Sequence, residues 1–120
     1  RAPRDLRSLQ RAREYVHAHF AENLTLAQVA RAAGLHPVYL GQIFRQEFGE
    51  TLGEYLNRIR VRAAAGMLAN SDLPLSAVAA DSGFYDQSHF TKVFRHLTGA
   101  TPGRFRGEYA QQKTSVAIQQ

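Results

Sequence analysis

Part of this chain is written twice, and that repeat limits the possible folds more than any other feature. From Leu24 the sequence reads LTLAQVARAAGLHPVYLGQIFRQEFGETLGEY, and from Leu73 it reads LPLSAVAADSGFYDQSHFTKVFRHLTGATPGRF. Leu24, Leu26, Val29, Ala30 and Gly34 match Leu73, Leu75, Val78, Ala79 and Gly83 at a remove of 49 positions. Past the glycine the remove becomes 50, and Phe44, Arg45, Gly49, Thr51 and Gly53 match Phe94, Arg95, Gly99, Thr101 and Gly103. One residue has therefore been inserted in the turn after Gly83. Two copies are too few for a solenoid and point instead to a duplicated module.

Each copy carries the punctuation of two helices. Thr25 followed by Gln28 is a capping-box pattern that opens a short helix with Val29 and Ala30 on its inner face. Gly34 ends it, as a left-handed residue after a helix does. Pro37 fits the first turn of the next helix, preceded by His36; in the second copy Asp86 takes that cap position, which suits it better than histidine. Leu40, Ile43 and Phe44 share one helical face, and Phe90, Val93 and Phe94 repeat them. Gly49 and Gly99 close these second helices. A short helix, a turn and a second helix make a helix-turn-helix. Between the copies, Thr51 and Glu54 form another capping box, and Leu52, Tyr55, Leu56, Ile59, Ala63, Met67 and Leu68 trace the apolar stripe of a long helix. Gly66 within it reads as a place of close packing.

The expected fold is therefore all-α, with seven helices. An N-terminal helix runs from about Asp5 to Ala21, the first helix-turn-helix covers about 25–49, the linker helix about 51–70 and the second helix-turn-helix about 74–99. A short last helix opens at Thr101-Pro102 and ends near Tyr109, giving a domain over 1–109 and a disordered tail over 110–120.

Composition narrows the function. A formal charge of +5 and a pI near 10.1 favour a polyanionic partner. With 44% hydrophobic residues the chain can bury a core, yet no run approaches a membrane span. The N-terminus lacks the apolar stretch of a secretory signal, and a cytoplasmic location is expected. The absence of cysteine removes disulfides and thiolate chemistry. Catalysis is not expected. Ser88 and His89 are adjacent, so their side chains diverge by about 100° on a helix and cannot form a nucleophile–base pair. His17 and His19 lack the four-residue spacing of a helical zinc site, and His36, His89 and His96 follow no ligand pattern. No metal or cofactor is expected.

YLGQIFRQEFGETLGEYLNRIRVRAAAGML and VAADSGFYDQSHFTKVFRHLTGATPGRFR resemble the DNA-binding domain of AraC/XylS-type transcription regulators over roughly Leu9 to Arg106. The second stretch is the more specific, with its glycine-aromatic pair, Asp-Gln-Ser, Phe-Arg and Gly-x-Thr-Pro. The resemblance implies two helix-turn-helix units joined by a long helix, with the second helix of each unit in a major groove. It also implies that the domain is part of a longer bacterial regulator whose separate effector-sensing or dimerising domain is not in this sequence. The domain itself is expected to be monomeric, with double-stranded DNA as partner, no membrane, and activation through RNA polymerase. Arg1 in place of methionine agrees with a fragment or a processed chain.

Groove helices on one DNA face recur about every 34 Å. A linker of about 19 residues is about 28 Å long, so one chain is expected to cover about two helical turns, with some bending of the DNA. In the second copy, helical spacing leaves Gln87, Ser88, Thr91, Lys92 and Arg95 outside. Gln87 suits adenine, Lys92 suits guanine, and Ser88 and Thr91 suit base edges or phosphates. The resemblance assigns base contacts to Gln87, Ser88, Thr91 and Lys92 and a rim or phosphate role to His89; Arg95 lies further along, toward phosphate. In the first copy the matching positions are Val38, Tyr39, Gly41, Gln42, Arg45 and Gln46. Gln42 can read a base and Val38 a thymine methyl. Gly41 departs from the family, which often has a hydrogen-bonding side chain there. Either its backbone approaches the DNA closely, or this copy reads fewer bases and serves more as an anchor. Arg60, where the family pattern has an arginine, pairs structurally or touches phosphate. The competing reading of the whole chain is a helical protein-interaction module whose basic face meets an acidic partner.

Overall fold

The computed structural model describes residues 3–119, with side chains described for 5–112. Among the described residues there are seven helices and no strand: α1 (Pro3–His19), α2 (Leu26–Ala33), α3 (Pro37–Phe48), α4 (Leu52–Asn70), α5 (Leu75–Asp81), α6 (Gln87–Thr98) and α7 (Pro102–Gln119). The chain divides into two compact units, residues 1–59 and 60–120, and α4 contributes to both.

In the first unit the apolar residues of α1 fall three and four apart, so Leu9, Ala12 and Val16 form one buried stripe. They pack with Val29, Ala30 and Ala33 of α2, Leu40, Ile43 and Phe44 of α3, and Tyr55 and Ile59 of α4. Phe44 anchors the cluster edge-on to Tyr55, with ring centroids 5.4 Å apart. The helix ends are satisfied as the sequence dictates. The Thr25 hydroxyl accepts from the Gln28 amide at 3.2 Å, and the Gln28 side chain accepts from the Thr25 amide at 2.8 Å. Gly34 closes α2 at φ +72°, a conformation that costs a Cβ-bearing residue. Arg11 of α1 donates to the freed carbonyl of Ala33 at 3.1 Å and ties α1 to that end of α2.

The second unit repeats the scheme with larger rings. Val61, Ala64 and Leu68 of α4 pack with Val78 and Ala79 of α5 and with Phe84, Phe90 and Phe94. Phe105 of α7 meets Phe94 edge-on at 5.4 Å. Arg106 donates to the carbonyls of Leu68 at 3.2 Å and Leu73 at 2.7 Å, holding the end of α4 and the loop beyond it.

Three expectations are revised. The copies do not open alike: Pro74 stands where Thr25 stood, and α5 starts without a side-chain cap. The backbone of α7 continues to Gln119 instead of stopping near Tyr109, since no glycine or proline follows Gly107 to end it. Gly66 is exposed, and a Cβ there would meet nothing within 4 Å, so close packing does not explain it.

Candidate nucleic-acid interface

The second helix of each unit presents one buried and one open face. α6 is set by its ends. The Asp86 carboxylate accepts from the His89 amide at 2.7 Å, and Gly99 closes the helix at φ +83°. Phe90 and Phe94 are fully buried, which fixes the rotation of the helix about its own axis. Gln87, Ser88, His89, Lys92 and Arg95 are left exposed and Thr91 half-buried. Five of the six second-copy candidates thus lie open on one short helix, with Thr91 at the margin. His89 has a structural task as well, its ring meeting Phe84 edge-on at 5.7 Å.

α3 starts from His36, whose Nδ1 accepts from the Val38 amide at 3.2 Å, with Pro37 in its first turn. Val38 and Tyr39 are 62% and 40% exposed, which is open for large apolar side chains. Gln42 and Arg45 are also exposed. The Tyr39 hydroxyl donates to the Asp5 carboxylate at 3.0 Å, so a residue from the start of α1 stands at the edge of this face. Gly41 is half-buried. It opens onto an apolar hollow of about 270 Å³ walled by Leu24, Leu26, Val29, Leu52 and Leu56, and a Cβ on Gly41 would meet nothing within 4 Å.

Charge agrees with the geometry of the two faces. α6 offers Lys92 and Arg95, whereas α3 offers Arg45 with neutral Gln42 in the place of Lys92. Arg60 does not join either open face. It is buried in α4, and desolvation lowers its pKa from the usual guanidinium value, which favours a structural role over a phosphate contact. Arg58 is held by Glu50 at 2.6 Å, and that hydrogen bond raises its pKa. Among the described residues no three histidine or acidic side chains gather where they could hold a metal ion. No described helix is long and apolar enough to cross a membrane.

Sequence spacing had not identified Asp5 or Tyr85. Asp5 reaches Tyr39 from 34 residues away, which no local pattern announces. Tyr85 is 93% exposed immediately before the cap of α6, and the sign of it in the sequence was the extra residue in the second turn.

Residues 29–108 match a family of helix-turn-helix domains. The chain is 32% identical over 111 residues to the arabinose operon regulatory protein of Escherichia coli, covering 92% of this chain and 38% of that protein. It is 33% identical to the regulatory protein SoxS of Salmonella typhimurium, covering 78% of this chain and 87% of SoxS. Among solved structures, the C-terminal domain of AraT, a response regulator from Geobacillus stearothermophilus, superposes with a TM-score of 0.81 at 32% identity, covering 89% of this chain and 86% of that one. Against the longer relatives the chain spans well under half their length, as the 38% for the arabinose regulator shows.

Proposed function

The chain belongs to the AraC/XylS family of helix-turn-helix transcription regulators, and on that premise we propose that it binds a specific double-stranded DNA site with α3 and α6 in successive major grooves. The observation that carries this reading is α6: a capped helix seated by two fully buried phenylalanines, whose opposite face offers Gln87, Ser88, Lys92 and Arg95 to solvent. In the proposed complex Gln87 pairs with an adenine and Lys92 with a guanine, while Ser88 and Thr91 bond base edges. Arg95, Arg45 and His89 meet phosphate. Val38 touches a thymine methyl, Gln42 reads one base, and Tyr39 packs at the groove edge with its hydroxyl steadied by Asp5. Gly41 contributes no side chain, and the first unit serves chiefly as an anchor. The DNA-binding domain spans 1–109 and acts as a monomer in the cytoplasm. The longer protein dimerises through another domain and activates transcription through RNA polymerase.

Selection of bound sequences from a random duplex pool, followed by titration at several salt concentrations, tests the reading. Two short motifs about one helical turn apart are expected, with log affinity falling steeply against log salt. A single motif would reduce the first unit to backbone contact alone. Flat, sequence-blind behaviour with every duplex would overturn the reading and return the acidic-partner alternative.

A further inference from the structure

The second unit contains one residue with no counterpart in the first. Leu35 and Phe84 are each packed against their unit's core. His36 and Asp86 each cap the following helix. Those two equivalences leave Tyr85 as the inserted residue. Its neighbours on both sides are fixed, Phe84 at 5% exposure and Asp86 through its bond to the His89 amide, so the Cα of Tyr85 is held in place. The side chain nevertheless stands 93% exposed, and among the described residues it makes no hydrogen bond or ring contact. A lone exposed aromatic is ordinary on a protein surface. An inserted, rigidly mounted one at the leading end of a reading helix is not, because N-terminal residues of such helices are the ones that approach DNA.

We propose that Tyr85 is a DNA-backbone contact of the second unit, its hydroxyl donating to a phosphate oxygen at the edge of the groove that α6 enters and its ring lying on the adjoining deoxyribose. This rests on the function proposed above. A phenol suits the position better than a cation would. A lysine or arginine beside Asp86 is drawn to that carboxylate and competes with the His89 amide for it. A neutral hydroxyl leaves the cap intact and still donates to phosphate.

The test measures duplex binding by fluorescence anisotropy, using the selected sequence and a base-substituted one at several salt concentrations. Wild type is compared with Tyr85→Phe, Tyr85→Ala and Lys92→Ala. Losing the hydroxyl is expected to weaken binding about threefold and losing the ring about tenfold. Both losses should be equal on the two duplexes, with the salt slope unchanged because no cation is removed. Lys92→Ala should instead lose much of the preference for the selected duplex over the base-substituted one, as removal of a base contact does. If Tyr85→Ala binds like wild type while Lys92→Ala is weakened, the Tyr85 assignment falls and the DNA-binding reading stands. If Tyr85→Ala changes which sequence is preferred, the backbone assignment falls. If the wild type itself shows neither salt dependence nor sequence preference, the underlying reading falls. Thermal melting of Tyr85→Ala should match wild type, as expected for a side chain so exposed.

Discussion

Gly41 is the residue at which the two units differ most in what they offer DNA. Its counterpart Thr91 carries a hydroxyl at the margin of the open face, while Gly41 leaves a gap over an apolar hollow. A glycine inside a helix costs about 1 kcal/mol relative to alanine, and nothing within 4 Å would obstruct a Cβ at this position. Gly41→Ala is therefore expected to raise the stability of the first unit by up to about 1 kcal/mol in urea titration. If the first unit acts as the proposed anchor, affinity for the selected duplex should be unchanged. Loss of specific binding by the stabler variant would favour close backbone approach instead. The glycine itself was visible in the sequence, but the hollow beneath it was not. Its walls come from α2 with the residues just before it and from the start of α4, and residues that far apart along the chain announce no contact. The bond between Tyr39 and Asp5 was hidden for the same reason.

Helix starts were the most readable feature of all, because a cap is a bond between residues three apart. Thr51 and Glu54 were paired by pattern, and the structure has both bonds, Glu54 accepting from the Thr51 amide at 2.8 Å and donating its own amide to the Thr51 hydroxyl at 3.1 Å. The bond from the Thr51 amide, helped by the Thr51 side chain acting on the carboxyl itself, holds the Glu54 carboxyl below the usual carboxylate range. A depressed folded value means that the charged form stabilises α4 above the ordinary carboxylate pKa, and that this contribution is lost as pH falls through the depressed value. Glu54→Gln keeps an acceptor for the Thr51 amide, as Gln28 does for Thr25, but loses the charge that favours a helix N-terminus. Wild type should have the higher urea midpoint at pH 7, and the gap should close as the pH falls through the depressed Glu54 value. A gap independent of pH would mean that the charge is not involved. Helix ends were less readable where no residue forces a stop: the glycines after α2, α3 and α6 were plain, whereas nothing in AQQKTSVAIQQ marks where α7 finishes.

The chain is two units with two cores, and the duplication that made them has left them chemically unequal. Phe44 and Phe94 occupy matching places, each at 0% exposure, and truncating either to alanine should cost about 3–5 kcal/mol. Each change strikes its own cluster first, since Phe44 packs with Tyr55 and Phe48 while Phe94 packs with Phe90 and Phe105. Hydrogen exchange should then show protection lost mainly in α2 and α3 for Phe44→Ala, and in α5 and α6 for Phe94→Ala. The consequences for binding should differ as the open faces differ. α6 has Gln87, Ser88, Thr91 and Lys92 where α3 has Pro37, Val38, Gly41 and Gln42. On the proposed contacts, loosening α6 removes most of the groups able to distinguish one base pair from another, while loosening α3 removes mostly grip. Phe94→Ala should bind the selected and base-substituted duplexes with nearly equal affinity. Phe44→Ala should bind both more weakly yet keep most of their ratio. If Phe44→Ala is the variant that loses the ratio, the first unit carries the reading, and the close-approach account of Gly41 becomes the better one.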